Sequence, residues 1–222
     1  MQLRPRIIPS LTIIGTDLVK TTQFKKPRYI GDPINAVKIF NGKGVDELCV
    51  LDISATVNNQ TPNFKLLEEI ASEAFMPLSY GGAITTMDEV KKIISIGYEK
   101  VVFNKSFYFN EKLIRDAVTF AGSQSVVISI DVKRTILGKY KCYHSSGQIY
   151  SGLMLEEALL KAENLGAGEI IVNSIDNDGK MNGYDEELIK LLANVIQIPV
   201  VIIGGAGKLT DFKRAFDLGI HA

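Results

Sequence analysis

The 222-residue chain is predicted to fold as an α/β barrel of the (β/α)8 type whose eighth unit is missing, and three features of the sequence carry that prediction. Short apolar runs of strand length alternate strictly with amphipathic segments of helix length, which is the pattern of buried parallel strands joined by right-handed crossovers. One junction recurs: a glycine ends a helix, two or three residues follow, and the next strand begins, at Gly44, Gly97, Gly166 and Gly219. The sequence is also doubled. Ser79-Tyr-Gly-Gly-Ala and Ile203-Gly-Gly-Ala-Gly hold the same strand-to-helix position in each half, as do Gly44-Val-Asp-Glu and Gly166-Ala-Gly-Glu. Two half-barrels of four units fit this better than an open sheet with a switch point.

In chain order, the first strand is read at 6–13 (RIIPSLTI) and the first helix at 32–43, closed by Gly44. The run ELCVLDI places a second strand at 47–53, followed by a helix at 62–74. MPLSY at 76–80 leads into a helix at 86–96, where Val90, Ile93, Ile94 and Ile96 recur at helical spacing and Thr86-Met-Asp-Glu89 fits a capping box. KVVFN at 100–104 precedes a helix at 110–121, and SVVISID at 125–131 precedes one at 153–165. EIIVNSI at 169–175 and PVVIIG at 199–204 complete seven strands, with helices at 184–196 and 208–218. The fourth junction, Gly219-Ile-His-Ala, ends the chain where an eighth strand should start. A barrel of this type (a TIM barrel) typically takes ~250 residues. Residues 1–222 are therefore read as one barrel domain truncated before strand eight, with the edges of strands one and seven open to unwanted pairing. The native protein is expected to be longer, or another segment to cover the gap.

Composition narrows the function classes. With 25 Lys+Arg against 25 Asp+Glu, the chain lacks the basic footprint of nonspecific nucleic-acid binding. No apolar stretch approaches the ~18 residues of a membrane span, and the first residues lack a signal-peptide core, so a soluble, cytoplasmic protein is expected. Cys49 and Cys142 have no metal spacing and read as reduced thiols. His144 and His221 are isolated and receive no role, and no metal or cofactor is expected.

In barrels of this kind the chemistry sits at the C-terminal strand ends. Asp131 closes Val-Val-Ile-Ser-Ile and projects from the rim of a dry wall, where a carboxylate can acquire the raised pKa of a general acid/base; capping the next loop is the alternative. Asp52 is similarly placed, with turn-making an equal reading. Gly81-Gly82 and Gly204-Gly205 each precede a helix, so backbone N–H groups there can receive phosphate, although tight packing also selects glycine. Asn177-Asp178-Gly179 marks a turn. Arg6, Glu47, Lys100 and Glu169 open strands one, two, four and six. In a closed barrel they converge at the bottom as two cations and two anions, a salt-bridge plug on residue chemistry alone.

Together these motifs resemble the cyclase subunits of imidazole glycerol phosphate synthase. The resemblance runs through Arg6-Ile-Ile-Pro, Val19-Lys20, Gly31-Asp32-Pro33, Leu51-Asp-Ile, Gly81-Gly82, Ser129-Ile-Asp-Val-Lys-Arg134, Gly166-Ala-Gly-Glu-Ile, Ser174-Ile-Asp-Asn-Asp-Gly179, Gly183-Tyr-Asp and Gly204-Gly-Ala-Gly-Lys208, which covers essentially the whole chain. It implies that ammonia from a glutaminase partner enters at the N-terminal face and passes a gate of Arg6, Glu47, Lys100 and Glu169. Above the core it would attack a ribulosyl carboxamide nucleotide, giving imidazole glycerol phosphate and aminoimidazole carboxamide ribotide. By the same resemblance Asp131 is one of two acid/base aspartates, with Lys20, Asp52 and Asp176 in support. Gly81, Gly82, Asn104, Asn173, Asp178, Gly179, Gly204 and Gly205 would bind the phosphates and substrate.

The sequence departs from that pattern at the rim and keeps it at the bottom. Thr12 stands where the other aspartate belongs, and a hydroxyl cannot exchange a proton near neutral pH as a tuned carboxylate does. Tyr80, Ala83, Lys105, Asn173 and Ile203 differ as well. Three readings follow: a working cyclase of histidine biosynthesis; a paralogue that hands ammonia to a surface-sugar enzyme converting acetamido to acetamidino groups; and a barrel without activity. The runs Lys26-Pro-Arg-Tyr-Ile-Gly-Asp-Pro and Ile34-Asn-Ala-Val-Lys-Ile-Phe-Asn resemble such paralogues.

Overall fold

A computed structural model describes residues 5–220 and residue 222 of the chain. Its elements run β1 (Ser10–Ile14), β2 (Asp17–Thr22), β3 (Lys25–Gly31), α1 (Pro33–Lys43), β4 (Leu48–Asp52), α2 (Phe64–Glu73), β5 (Leu78–Gly81), α3 (Met87–Ile96), β6 (Lys100–Phe103), α4 (Lys105–Phe109), α5 (Glu111–Ala121), β7 (Val126–Arg134), β8 (Tyr140–His144), β9 (Ile149–Met154), α6 (Leu155–Asn164), β10 (Glu169–Ser174), α7 (Glu186–Val195), β11 (Val200–Ile203) and α8 (Leu209–Asp217). Seven strands form one parallel ladder in the order β1-β4-β5-β6-β7-β10-β11. These are the seven apolar runs read from the sequence.

Local chemistry explains the boundaries. Asp32 accepts the Asn35 N–H and Pro33 occupies the first turn of α1, while Gly44 closes that helix in the left-handed conformation (φ 61). Thr86 and Glu89 form the expected capping box at the start of α3, and Gly97 ends it at φ 117. Within the strands, alternate residues face opposite sides. Leu48, Val50, Tyr80, Val101, Phe103, Ile128, Ile130, Ile170, Val172 and Ile202 pack outward against the helices. Cys49, Val102, Val127, Ile171 and Val201 make a second apolar cluster inside the curl of the sheet, with Ile8, Leu51, Ile203 and Ala222 at its margin.

Three sequence expectations are corrected here. Strand one begins at Ser10 instead of Arg6, because Pro9 has no N–H to give a ladder and contributes only its carbonyl, to Cys49 N at 2.9 Å. Residues 17–31, read as a connection, form the antiparallel hairpin β2–β3, and Thr12, Ile13 and Ile14 pair with Val19, Leu18 and Asp17, so that stretch of β1 is covered. Residues 132–154 add a second antiparallel pair, β8–β9, docked on an extended β7. Cys142, which sits in a polar stretch of sequence, is fully buried on β8. At the far side of the ladder the Ile202 N–H donates to the Ala222 carbonyl at 3.0 Å, while no ladder joins β11 to β1 among the described residues. None of the described helices is long and apolar enough to cross a membrane.

Candidate functional site

The inward side of the ladder can be followed from end to end by register. Ser10 lies beside Cys49, Cys49 beside Ser79, and Ser79 beside Lys100; Val127 pairs with Glu169, Ser129 with Ile171, and Asp131 with Asn173. One face therefore carries charge at the bottom, small and apolar residues in the middle, and polar residues at the rim.

At the bottom the four charged residues meet as a closed ring. The two arms of the Arg6 guanidinium donate to Glu47 and Glu169, and Lys100 Nζ reaches Glu47 Oε2 at 2.6 Å and Glu169 Oε2 at 2.7 Å. Glu47 and Glu169 are 9% and 5% exposed. Burial works against a charged Arg6, and the attraction and hydrogen bonds of Glu169, then Glu47, more than reverse this and raise its pKa. Just above, Cys49 is buried and its thiol is pushed up to about 12, so it stays protonated and neutral.

At the rim Asp131 is 5% exposed, and burial raises its carboxyl from 3.8 to about 7, although hydrogen bonds from Asn173 and Asn104 oppose the rise. Asn104 Nδ2 donates to Asp131 Oδ2 at 3.2 Å and to the Ser129 carbonyl at 3.0 Å. A carboxyl group half-protonated near neutrality can give or take a proton at working pH.

Two cavities open at this end. The first, of about 480 Å³, brings together Asp52, Gly81, Gly82, Asn104, Asp131 and Asn173. The second, of about 740 Å³, lies between β1 and β11 and gathers Thr12, Lys20, Asn173, Asp178, Gly179, Gly204 and Gly205. Asn173, Leu51, Phe24, Ile53 and Ser146 line both, so the cavities adjoin across the barrel mouth. Thr12 and Asp131 thus sit on β1 and β7, one in each cavity. Asp176 lines neither.

Several of these side chains already have partners. Asp52 Oδ1 accepts from Ser54 N, Ser54 Oγ and Ala55 N at 2.8–3.0 Å, which is the turn-making role. Asp176 Oδ2 accepts the Arg134 N–H at 2.8 Å. Asp178 Oδ2 accepts Thr21 Oγ1 at 2.8 Å and Phe24 N at 3.0 Å, holding the tip of the β2–β3 hairpin against the rim. Two glycines are demanded by close approach as much as by any ligand. A Cβ on Gly82 would lie 2.7 Å from that of Asp52, and one on Gly205 (φ 115) would lie 2.2 Å from the Gly183 carbonyl oxygen. Gly205→Ala is expected to cost on the order of 1–3 kcal/mol from backbone strain alone, with the clash in addition. Denaturant titration of the variant checks this.

Sequence reasoning missed Phe24, Ser145 and Ser146, all of which line the first cavity, as does Lys105, which it had noted as a departure at the rim. Ser145-Ser146-Gly147 is a turn signal that could have drawn attention, but only the hairpins bring it and Phe24 over the mouth.

Known proteins match this sequence over nearly its whole length. A family model described as histidine biosynthesis protein matches residues 6–222. A Leptospira interrogans protein, provisionally named imidazole glycerol phosphate synthase subunit HisF, is 46% identical over 220 residues, covering 98% of this chain and 87% of the relative. The Dictyoglomus thermophilum imidazole glycerol phosphate synthase subunit HisF is 36% identical over 99% of this chain and 87% of its own length. A Pseudomonas aeruginosa protein with the provisional name imidazole glycerol phosphate synthase subunit hisF2 is 44% identical over 97% of this chain and 86% of its own. With the family model and these relatives matched over nearly its full length, the chain belongs to the histidine biosynthesis protein family, with the HisF subunits of imidazole glycerol phosphate synthase among its relatives.

Proposed function

We infer that this chain is a lyase, the synthase subunit that uses ammonia to convert a ribulosyl carboxamide bisphosphate nucleotide to imidazole glycerol phosphate and aminoimidazole carboxamide ribotide in histidine biosynthesis. The observation that carries the reading is Asp131, a buried carboxyl raised to about 7 at the mouth of a sheet whose opposite end is a neutral ring of charges. Asp131 supplies proton transfer at the developing ring, and Asn104 and Asn173 orient it. Gly81, Gly82, Gly204 and Gly205 offer backbone N–H groups to the two phosphates, with Lys20 as the cation of the second cavity. A glutaminase docks at the N-terminal face, beneath Arg6, Glu47, Lys100 and Glu169, and its ammonia enters through them. The work is done in the cytoplasm, by one barrel domain over residues 1–222 that an eighth β/α unit closes between β11 and β1. Support for that unit comes from the Ile202–Ala222 hydrogen bond, placed where a next strand would pair.

Thr12 favours a second reading, an ammonia-delivering paralogue serving acetamidino-sugar formation, because the second cavity then lacks the acid/base carboxylate that the resemblance implies. The two are separated by turnover of the ribulosyl nucleotide with ammonium salt. The wild-type chain is expected to turn over, and Thr12→Asp to raise kcat by roughly 10-fold or more. Absence of turnover in both proteins overturns the synthase reading.

A further inference from the structure

We propose that Ser145 and His144 form a proton relay into the Asp131 cavity, with Ser145 as a catalytic residue and His144 as the positioning residue behind it; this rests on the synthase reading above. The turn between β8 and β9 leans over the barrel mouth. Ser146 Oγ donates to the Ile53 carbonyl at 3.0 Å, and Lys133 Nζ donates to the Gly147 carbonyl at 2.8 Å. This docking sets Ser145 in the wall of the cavity that Asp131 also lines. Ser145 and Ser146 are held at φ 52 and 57, a region few non-glycine residues occupy and one that persists only where the surroundings impose it.

Behind the serine stands a base. Ser145 Oγ lies 2.9 Å from His144 Nδ1. The imidazole is 4% exposed, edge-on to Phe109 at 5.1 Å between ring centroids and tilted on Tyr108 at 5.8 Å. Lys105 and Tyr108 of α4 are the charged and titratable groups facing it, and β9 places Ile149 opposite. Burial, then the Lys105 charge, disfavour the imidazolium, so His144 is neutral at pH 7 and able to accept a proton. Ring formation needs two proton-transferring groups, and Thr12 is a hydroxyl whereas Ser145 is a hydroxyl with a base attached.

Addition of ammonia to the substrate carbonyl forms the C–N bond and breaks the C=O π bond, and one proton passes from nitrogen to that oxygen to give a neutral carbinolamine. With the proton on Nε2, His144 Nδ1 then takes the Ser145 hydroxyl proton as Ser145 Oγ takes one from the carbinolamine nitrogen, and the C=N bond forms as the C–O bond breaks. Protonated Asp131 gives its proton to the oxygen that leaves that carbon as water. One proton has then moved from nitrogen to His144 and one from Asp131 to oxygen. Loss of a proton from the imidazolium to solvent and uptake of one by Asp131 restore both groups.

Ser145→Ala and His144→Gln are compared with the wild-type chain for kcat and KM across pH 5–9 with ammonium salt. Both variants are expected to lose roughly 10²–10³-fold in kcat with KM little changed, and His144→Gln to lose the acid limb of the profile. A merely structural turn would lower the melting temperature and leave that limb in place. Nitrogen-15 NMR of the wild-type chain, which has only two histidines, is expected to find His144 as the Nε2–H tautomer at pH 7. The relay is overturned by Ser145→Ala turning over at the wild-type rate, or by an Nδ1–H tautomer. A wild-type chain without turnover overturns the synthase reading instead, and the tautomer then decides the relay alone.

Discussion

Asp131→Asn is expected to abolish most turnover while making the protein more stable at alkaline pH. The carboxyl is isosteric with the amide, but only the carboxyl exchanges a proton, so kcat should fall by roughly 10²–10⁴-fold. The stability change follows from the direction of the pKa shift. Burial raises Asp131 from 3.8 to about 7, so the folded state holds this proton more tightly than the unfolded chain does. Its contribution is fully present below pH 3.8 and is lost as pH rises through 7; a shift of this size amounts to about 4 kcal/mol. The Asn variant does not pay this cost, so its advantage should approach that figure at pH 8.5 and shrink to near zero at pH 4. Urea midpoints at the two pH values measure it. Equal midpoints at pH 8.5 would mean that water or a hidden cation already solvates the carboxylate, and that its pKa is ordinary.

Lys100→Met is expected to be the most damaging single change at the other end of the barrel. It leaves two nearly buried carboxylates, Glu47 and Glu169, sharing Arg6 alone. Breaking a buried ion pair from one side costs roughly 3–5 kcal/mol, because a charge is stranded without solvent. Lys100→Met combined with Glu169→Gln restores neutrality and should recover a good part of the loss. The pair also tests what the ring is for. If it gates ammonia, glutamine-dependent turnover in the presence of the glutaminase will change relative to turnover with ammonium salt. If it is a plug, both activities will follow stability and their ratio will hold.

Much of the frame was legible because its signals are local. The seven parallel strands and their long helices agree with the reading from sequence to within a few residues, since β-branched runs, capping residues such as Asp32 and Thr86, and left-handed glycines such as Gly44 and Gly97 act over one or two turns. The convergence of Arg6, Glu47, Lys100 and Glu169 was legible for a related reason: residues at or just before the starts of parallel strands lie at one end of the sheet those strands form. The hairpin β2–β3 was not. Its outer strand, Lys25–Gly31, is almost wholly exposed and carries Lys25, Lys26, Pro27 and Arg28, so it has no apolar alternation to read. Its tip is held by Asp178 from the far side of the barrel, 157 residues away in sequence from Thr21.

His144 marks the same boundary within the site. An isolated histidine in a polar stretch carries no chemistry by spacing alone, and it gained a reading only when α4 supplied its aromatic walls and the β8–β9 turn set Ser145 over the Asp131 cavity. The sequence by itself determined the barrel units, their order, the bottom ring and the carboxyl at the rim, because periodicity, capping and strand position are short-range or topological constraints. Tertiary structure decided the surroundings of the rim carboxylates other than Asp52. Asp176 and Asp178 accept from backbone and hydroxyl donors of β7 and the β2–β3 hairpin, whereas Asp131 is buried and accepts from the side-chain amides of Asn104 and Asn173, and burial prevails to raise its carboxyl to about 7. Burial and hydrogen-bond partners set a carboxyl's proton affinity, and both come from residues far away in the chain.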